Sequence, residues 1–332
     1  MTLIKVKSRG TDNVSGRRNI IINGAMQISQ RIGTTATAIT GGSYGLDRWH
    51  MYYDGNSYTT QQVVDAPAGF YNSMKLTVTG TTTPNYSFFG QRIEGLNVNH
   101  IGLGTANCQS FTVSFYVKSS VAGVYSISMT NGAGDLAYPV QYTINSANTW
   151  ERKSMTIAPI TSGTWVKDNT NGLYLRMNLG SPSGRTAAAN GWRSGNFDGA
   201  DGSTGAVTWA TTSGATFYMT GCQIEVGTSA SDFEHRSFGE ELALCQRYYE
   251  VNMVSAQGYV AGGQHVGIDA SYMTEKRAAA TLTWSLASYG NMTGSSPTGL
   301  HRNKTNGAYA FQTATSAGNW FYYYDFTAAA EL

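Results

Sequence analysis

Charge is scarce in this sequence. Of its 332 residues, 22 are Lys or Arg and 20 are Asp or Glu, so charged side chains make up 13%; a soluble domain averages about 25%. The net charge of +2, with no stripe of Lys and Arg, leaves no electrostatic footprint for a nucleic-acid partner. Cysteine is scarce too. Cys108, Cys222 and Cys245 are too few and scattered for a disulfide framework or a zinc site, and read as free thiols. No apolar run is long enough to span a bilayer. Residues 1–18 are basic and polar, without the apolar stretch of a signal peptide, so the expectation is synthesis in a cytoplasm without export by that route.

The usual catalytic signatures are missing as well. There is no His-Glu-x-x-His, Cys-x-x-Cys, Gly-x-Ser-x-Gly or phosphate-cradling glycine loop. His50, His100, His235, His265 and His301 stand apart from one another and from the cysteines. Glycosidase chemistry needs two carboxylates flanking a bond. With 20 acidic residues some pair is inevitable, and Asp198 with Asp201, or Glu240 with Glu241, is no more than that. The glutamates also suit a helix N-terminus, and Asp198-x-x-Asp201 lacks the further oxygens a Ca²⁺ site requires. The expectation is a protein with no catalytic residue, no metal and no cofactor.

What is present is extended structure. Apolar residues make up 41%, enough for a packed core, and hydroxyl and amide side chains supply the solubility that charge does not. Alternating segments recur every dozen residues or so: 58–64, 73–78, 87–93, 111–117, 125–129, 140–144, 151–157 and 173–179. Asn-Gly, Gly-Gly and Pro-containing turns punctuate them. Short strands at such spacing predict an antiparallel sandwich or jelly roll, and no strand leads into an amphipathic helix of a parallel fold. Before this series, Ile20-Ile21-Ile22-Asn23-Gly24 reads as a strand meeting a tight turn. In Asp47-Arg48-Trp49, Trp49 reads as core, with its charged neighbours tying a loop.

The chain pivots at residues 216–251. Phe217, Met219, Gly221, Gln223 and Glu225 alternate with Tyr218, Cys222, Ile224 and Val226, as in a half-buried strand. Ser237 with Glu240 three positions later is a capping box, and Leu242, Cys245 and Tyr249 follow at helical spacing. The expected organisation is all-β: an N-terminal arm over 1–18, a jelly roll over 19–236, a linking helix over 237–251, and a smaller β domain over 252–332. Residues 180–205 form a long Gly/Ser/Ala/Asn loop carrying Trp192, Arg193, Asp198 and Asp201, and Ala206–Trp209 resumes extended structure. The loop either offers a sugar platform or packs onto the sandwich. Likewise Trp320, Tyr322 and Tyr324 belong to a core or interface, or else to an exposed binding tip. The arm, with Lys5, Lys7, Arg9, Arg17 and Arg18, is either a disordered terminus or an anchor.

Three stretches together resemble tail-fibre and related receptor-binding virion proteins of tailed bacteriophages. They are Arg18-Asn19-Ile20-Ile21-Ile22-Asn23-Gly24-Ala25-Met26-Gln27 with Asp47-Arg48-Trp49; the strands between Phe111 and Ile157; and Gln223-Ile224-Glu225-Val226-Gly227 through Phe233-Glu234-His235-Arg236 to Leu244-Cys245-Gln246-Arg247-Tyr248-Tyr249. The resemblance implies a carbohydrate-binding jelly roll, a distal C-terminal domain, a homotrimer fixed to other virion proteins, and bacterial surface polysaccharide as the ligand. It supplies no catalytic motif. On that footing the glycan contacts would be Trp192, Arg193, Asp198, Asp201, Trp320, Tyr322 and Tyr324, and the attachment residues Lys5, Lys7, Arg9, Arg17 and Arg18. The rivals are a purely structural decoration, collar or adaptor protein, and a polysaccharide depolymerase.

Overall fold

The computed structural model describes residues 18–294, 296, 297 and 299–332. Lys5, Lys7, Arg9 and Arg17 lie outside the described residues. Arg18 is described, and it belongs to the body rather than to an arm: its side chain donates to the Asp232 carbonyl and approaches Glu225 at 3.5 Å.

The chain is all-β. Two six-stranded sheets face each other across one core as a jelly-roll sandwich. The first runs Thr37–Ile39, Tyr58–Val63, Ser73–Val78, Thr216–Val226, Phe111–Ser119, Glu151–Ile157; the second runs Arg193–Ser194, Leu136–Ile144, Gly123–Asn131, Asn171–Asn178, Tyr86–Glu94, His50–Asp54. Every pairing in both is antiparallel. Alternation explains the layering. Phe111, Val113, Phe115 and Val117 project from the first sheet to meet Tyr125, Ile127, Met129, Leu173, Leu175 and Met177 of the second, and all are fully buried.

Strict alternation fails within the strand Thr216–Val226. Phe217 and Met219 enter the core, but so do Cys222 and Ile224, which the sequence pattern puts on the other side. Gly221 sits between them at φ 62° and the register slips between Thr220 and Gln223. One extra residue in a bulge reverses the parity of everything after it.

Other departures have equally local causes. Asn19–Met26 is not a strand. Its backbone is satisfied by side chains: Ile21 N donates to Asn19 Oδ1, Ile22 N to Gln91 Oε1 and Asn23 N to Glu241 Oε1, while Gln91 Nε2 donates to the Ile22 carbonyl. A buried segment with its polar groups so met needs no ladder. Residues 206–209 are not extended; Thr204–Thr211 is a helix that buries Ala206, Trp209 and Ala210. A further short helix occupies Gly95–Val98. The linking helix is Phe238–Gln246, shorter than expected, and its capping box at Ser237 and Glu240 is formed. Tyr249 already begins a strand.

The C-terminal part has two three-stranded antiparallel sheets: Tyr249–Val260, Gly318–Ala329, Thr281–Gly290, and His265–Ser271, Gly307–Thr313, Gly299–Lys304. Their shared core is small-grained, with Ala270, Ala280, Ala308, Ala310 and Ala328 around Tyr322, Tyr324 and Phe326. After its last strand the chain returns to the jelly roll. Ala330 N bonds the Tyr248 carbonyl, the Glu331 carboxylate pairs with Arg31 and Arg48, and the Leu332 carbonyl accepts from Tyr44 and Arg92.

Candidate functional site

The inner face of the second sheet is core, and its outer face carries polar side chains. In the strand Asn171–Asn178 the core takes Leu173, Leu175 and Met177, which leaves Tyr174, Arg176 and Asn178 outward. Arg92 lies opposite Tyr174 in the register. The two guanidiniums flank one ring: Arg92 Cζ is 5.2 Å and Arg176 Cζ 4.8 Å from the Tyr174 centroid. Such cation–π contacts hold Arg side chains in fixed orientations.

Behind them the site is stiff and electrically defined. Tyr174 Oη lies 2.8 Å from His50 Nε2. Burial, reinforced by the charges of Arg92, Arg48 and Arg176, holds His50 down at about 3, so the imidazole is neutral at ordinary pH. Burial likewise raises the Tyr174 hydroxyl well above its usual range. Asp198 is completely buried. It accepts from Arg176 Nη1 at 3.1 Å, from Arg185 Nε at 3.1 Å and from Ser181 Oγ at 2.9 Å.

A cavity of about 440 Å³ opens over this face. Its floor is Arg92, Tyr174 and Arg176. One wall is the hairpin turn Asn131–Gly134, another is Asn196 of the long loop, and a third is Arg277 and Leu332 from the C-terminal part. Gly132 lets the turn approach: a Cβ there would lie 1.7 Å from the Asn171 carbonyl oxygen. Asn131 fixes the turn by accepting from the Asp135 and Leu136 amides at 3.1 Å. No Asp or Glu lines the cavity. Three polar atoms of its lining residues are buried without a partner: Arg176 Nε, Arg277 Nε and Asn171 Oδ1. Buried groups of this kind are normally satisfied.

The residues picked from the sequence are mostly elsewhere. Asp198 is near the cavity but is an anchor, not a contact: it pins the long loop to the sheet through Arg176. Trp192 packs the loop down, its Nε1 bonded to the Ala158 carbonyl at 2.8 Å and its ring against Tyr138 and Trp165. Arg193 is exposed at the sheet edge and bonds the Ala188 carbonyl. Asp201 is exposed and holds Thr186. Of the C-terminal aromatics, Tyr322 and Tyr324 are core, and Trp320 packs against that core. The period of two makes Phe321 and Tyr323 the outward pair instead. Asp47 and Arg48 do tie a loop: Asp47 accepts from Gln30 N and Nε2, and Arg48 stacks 3.5 Å from the Tyr248 centroid. Cys108, Cys222 and Cys245 are free thiols.

The sequence reading missed Arg92, Tyr174, Arg176 and Arg277. Tyr174-x-Arg176-x-Asn178 threaded between core residues was the available signal. Arg277 gave none, because only the tertiary fold brings it here.

No protein-family model and no curated protein matches this chain. Solved structures do. The enzymatically active domain of tailspike protein 4 of bacteriophage CBA120 is 15% identical with a TM-score of 0.36, the match covering 63% of this chain and 22% of that one. TmCBM61 in complex with β-1,4-galactotriose is 9% identical with a TM-score of 0.33, over 64% of this chain and 100% of that one. The family 11 carbohydrate-binding module of Clostridium thermocellum, in complex with a β-1,3-1,4-mixed-linked tetrasaccharide, is 16% identical with a TM-score of 0.28, over 61% and 100%. The chain thus spans only a small part of the tailspike domain.

Proposed function

We propose that the chain is a non-enzymatic virion fibre protein whose jelly roll binds bacterial surface glycans in the cavity over Arg92, Tyr174 and Arg176. The cavity carries this reading. Its volume of about 440 Å³ falls in the range of roughly 300–1,000 Å³ usual for small-molecule sites, and its lining combines an aromatic ring with a few fixed polar groups. Oligosaccharide binding belongs by name to the modules cited above, and it is adopted here as the ligand class. A described lining without Asp or Glu side chains favours binding over hydrolysis, since a glycosidase would need two there. Attachment to the particle is assigned to the basic residues Lys5, Lys7, Arg9 and Arg17 ahead of the body. Assembly as a homotrimer would raise weak single-site binding through effective concentration.

The test is adsorption of the purified full chain to host cells and to a panel of their extracted polysaccharides. Ala133→Trp, an exposed turn position on the cavity rim, plugs the site without touching the core. Binding by the wild type, reduced at least tenfold in this variant at an unchanged melting temperature, is expected. Equal binding by both would dismiss the cavity.

A further inference from the structure

The glycan reading says nothing about charge, but the cavity does. We infer, resting on that reading, that the sugar residue seated there is acidic, carrying an oxyanion such as a carboxylate.

Three guanidiniums converge on the space: Arg92 and Arg176 from adjacent strands, and Arg277 from the C-terminal part. Asp198 is the one side-chain carboxylate bonded to any of them, and it is divided between Arg176 and Arg185. Among the described residues no Asp or Glu side chain pairs with Arg92 or Arg277. Their donations go to main-chain oxygens instead: Arg92 Nη1 to Leu332 at 2.5 Å, Arg277 Nη1 to Asn169 at 3.3 Å and Arg277 Nη2 to Glu331. The described lining therefore carries three cationic side chains and no acidic side chain. Arg176 is only 6% exposed, and its Nε has no partner; nor does Arg277 Nε. The planar fork of Arg matches a carboxylate or phosphate with two parallel bonds. A neutral sugar, by contrast, wants an aromatic face free for stacking, and Tyr174 already has two cations against its ring.

The experiment is titration calorimetry on the full chain with three probes: a hexuronic acid tetrasaccharide, the same tetrasaccharide with its carboxyls reduced to alcohols, and a hexose 6-phosphate. The acidic tetrasaccharide should bind at least tenfold more tightly than its reduced form and weaken between 50 and 200 mM salt. Arg277→Gln should erase most of that preference, and Arg277→Lys should restore part of it. Preference for the phosphate probe over the uronate would assign the same oxyanion seat to a phosphosugar. The wild-type comparison needs no variant, so misfolding cannot obscure it. Equal binding of the acidic and reduced tetrasaccharides overturns the inference while leaving glycan binding intact. Failure of every saccharide, together with unimpaired cell adsorption by Ala133→Trp, overturns the glycan reading beneath it.

Discussion

Replacing Asp198 by Asn removes the shared counter-charge of Arg176 and Arg185 while keeping the shape. The Arg176 and Asp198 side chains are 8% and 0% exposed, and breaking one partner of a buried pair costs roughly 3–5 kcal/mol. The expected outcome is a lower melting temperature, proteolytic nicking within residues 180–205, and loss of glycan binding. Asp201→Asn is the contrast: its carboxylate is exposed and bonds Thr186 alone, so melting should move by no more than about 0.5 kcal/mol equivalent. Equal behaviour of the two variants would refute the anchoring role. Both residues look alike in sequence. The difference lies in what each meets after folding, and the Arg176 that claims Asp198 comes from a strand 22 positions earlier. His50 yields a pH prediction. Its native value of about 3 lies below the usual 6.5 because burial and the surrounding arginines oppose the charged form. The unfolded chain therefore binds more protons between those values, and stability falls as pH falls from about 6.5 towards 3. Melting followed between pH 6.5 and 5, above the carboxylate range, should decline in the wild type and decline less steeply in His50→Gln, where His100 still contributes. An identical slope in both would sink the assignment.

At the scale of elements, legibility tracked how far each signal depends on neighbours in sequence. The strands Ser73–Val78 and Glu151–Ile157 and the box at Ser237 and Glu240 were readable because alternation and capping are local. The helix Thr204–Thr211 was not. Its β-branched and aromatic residues favour strand, and what overrides them is the burial of Trp209, stacked 5.7 Å from Tyr58. The bulge at Gly221 was equally hidden, since one glycine in a strand does not announce which way the parity will turn. Gly221→Ala tests it. A left-handed residue costs about 1–2 kcal/mol once it carries a Cβ, and that atom would also lie 2.6 Å from the Phe70 ring. A drop in melting of several degrees is expected, whereas Gly239→Ala, with open space around it in the linking helix, should stabilise slightly because Ala is the better helix former. No loss at Gly221 would mean that the strand can run without its bulge.

At the scale of the whole molecule, the two β parts are not beads on a string. Arg48 is 1% exposed and depends on Glu331, so truncating residues 252–332 would strand a buried cation in the jelly roll. Adsorption lost by such a truncation would say little about where the ligand binds; point substitutions separate the roles. The proposed trimer can be tested in this way. Half of the buried residues in the two C-terminal clusters, six of twelve, are alanine, and about 80 residues bury a modest share of their surface alone. Meanwhile the outward side of the strands Tyr249–Val260 and Gly318–Ala329 shows Val251, Met253, Tyr259, Phe321 and Tyr323, with Met253 59% and Tyr259 76% exposed. The same face also carries Ser255, Gln257, Asn319 and Asp325, and copies of the same chain would cover its apolar side chains in a closed assembly. Sedimentation of the wild type should give three times the chain mass, and Met253→Lys should shift it towards one while leaving the cavity's affinity for a single glycan unchanged. Avidity for cells would then fall though the site itself is intact. A wild type that sediments as a monomer at micromolar concentration would remove the trimer and leave the binding site standing.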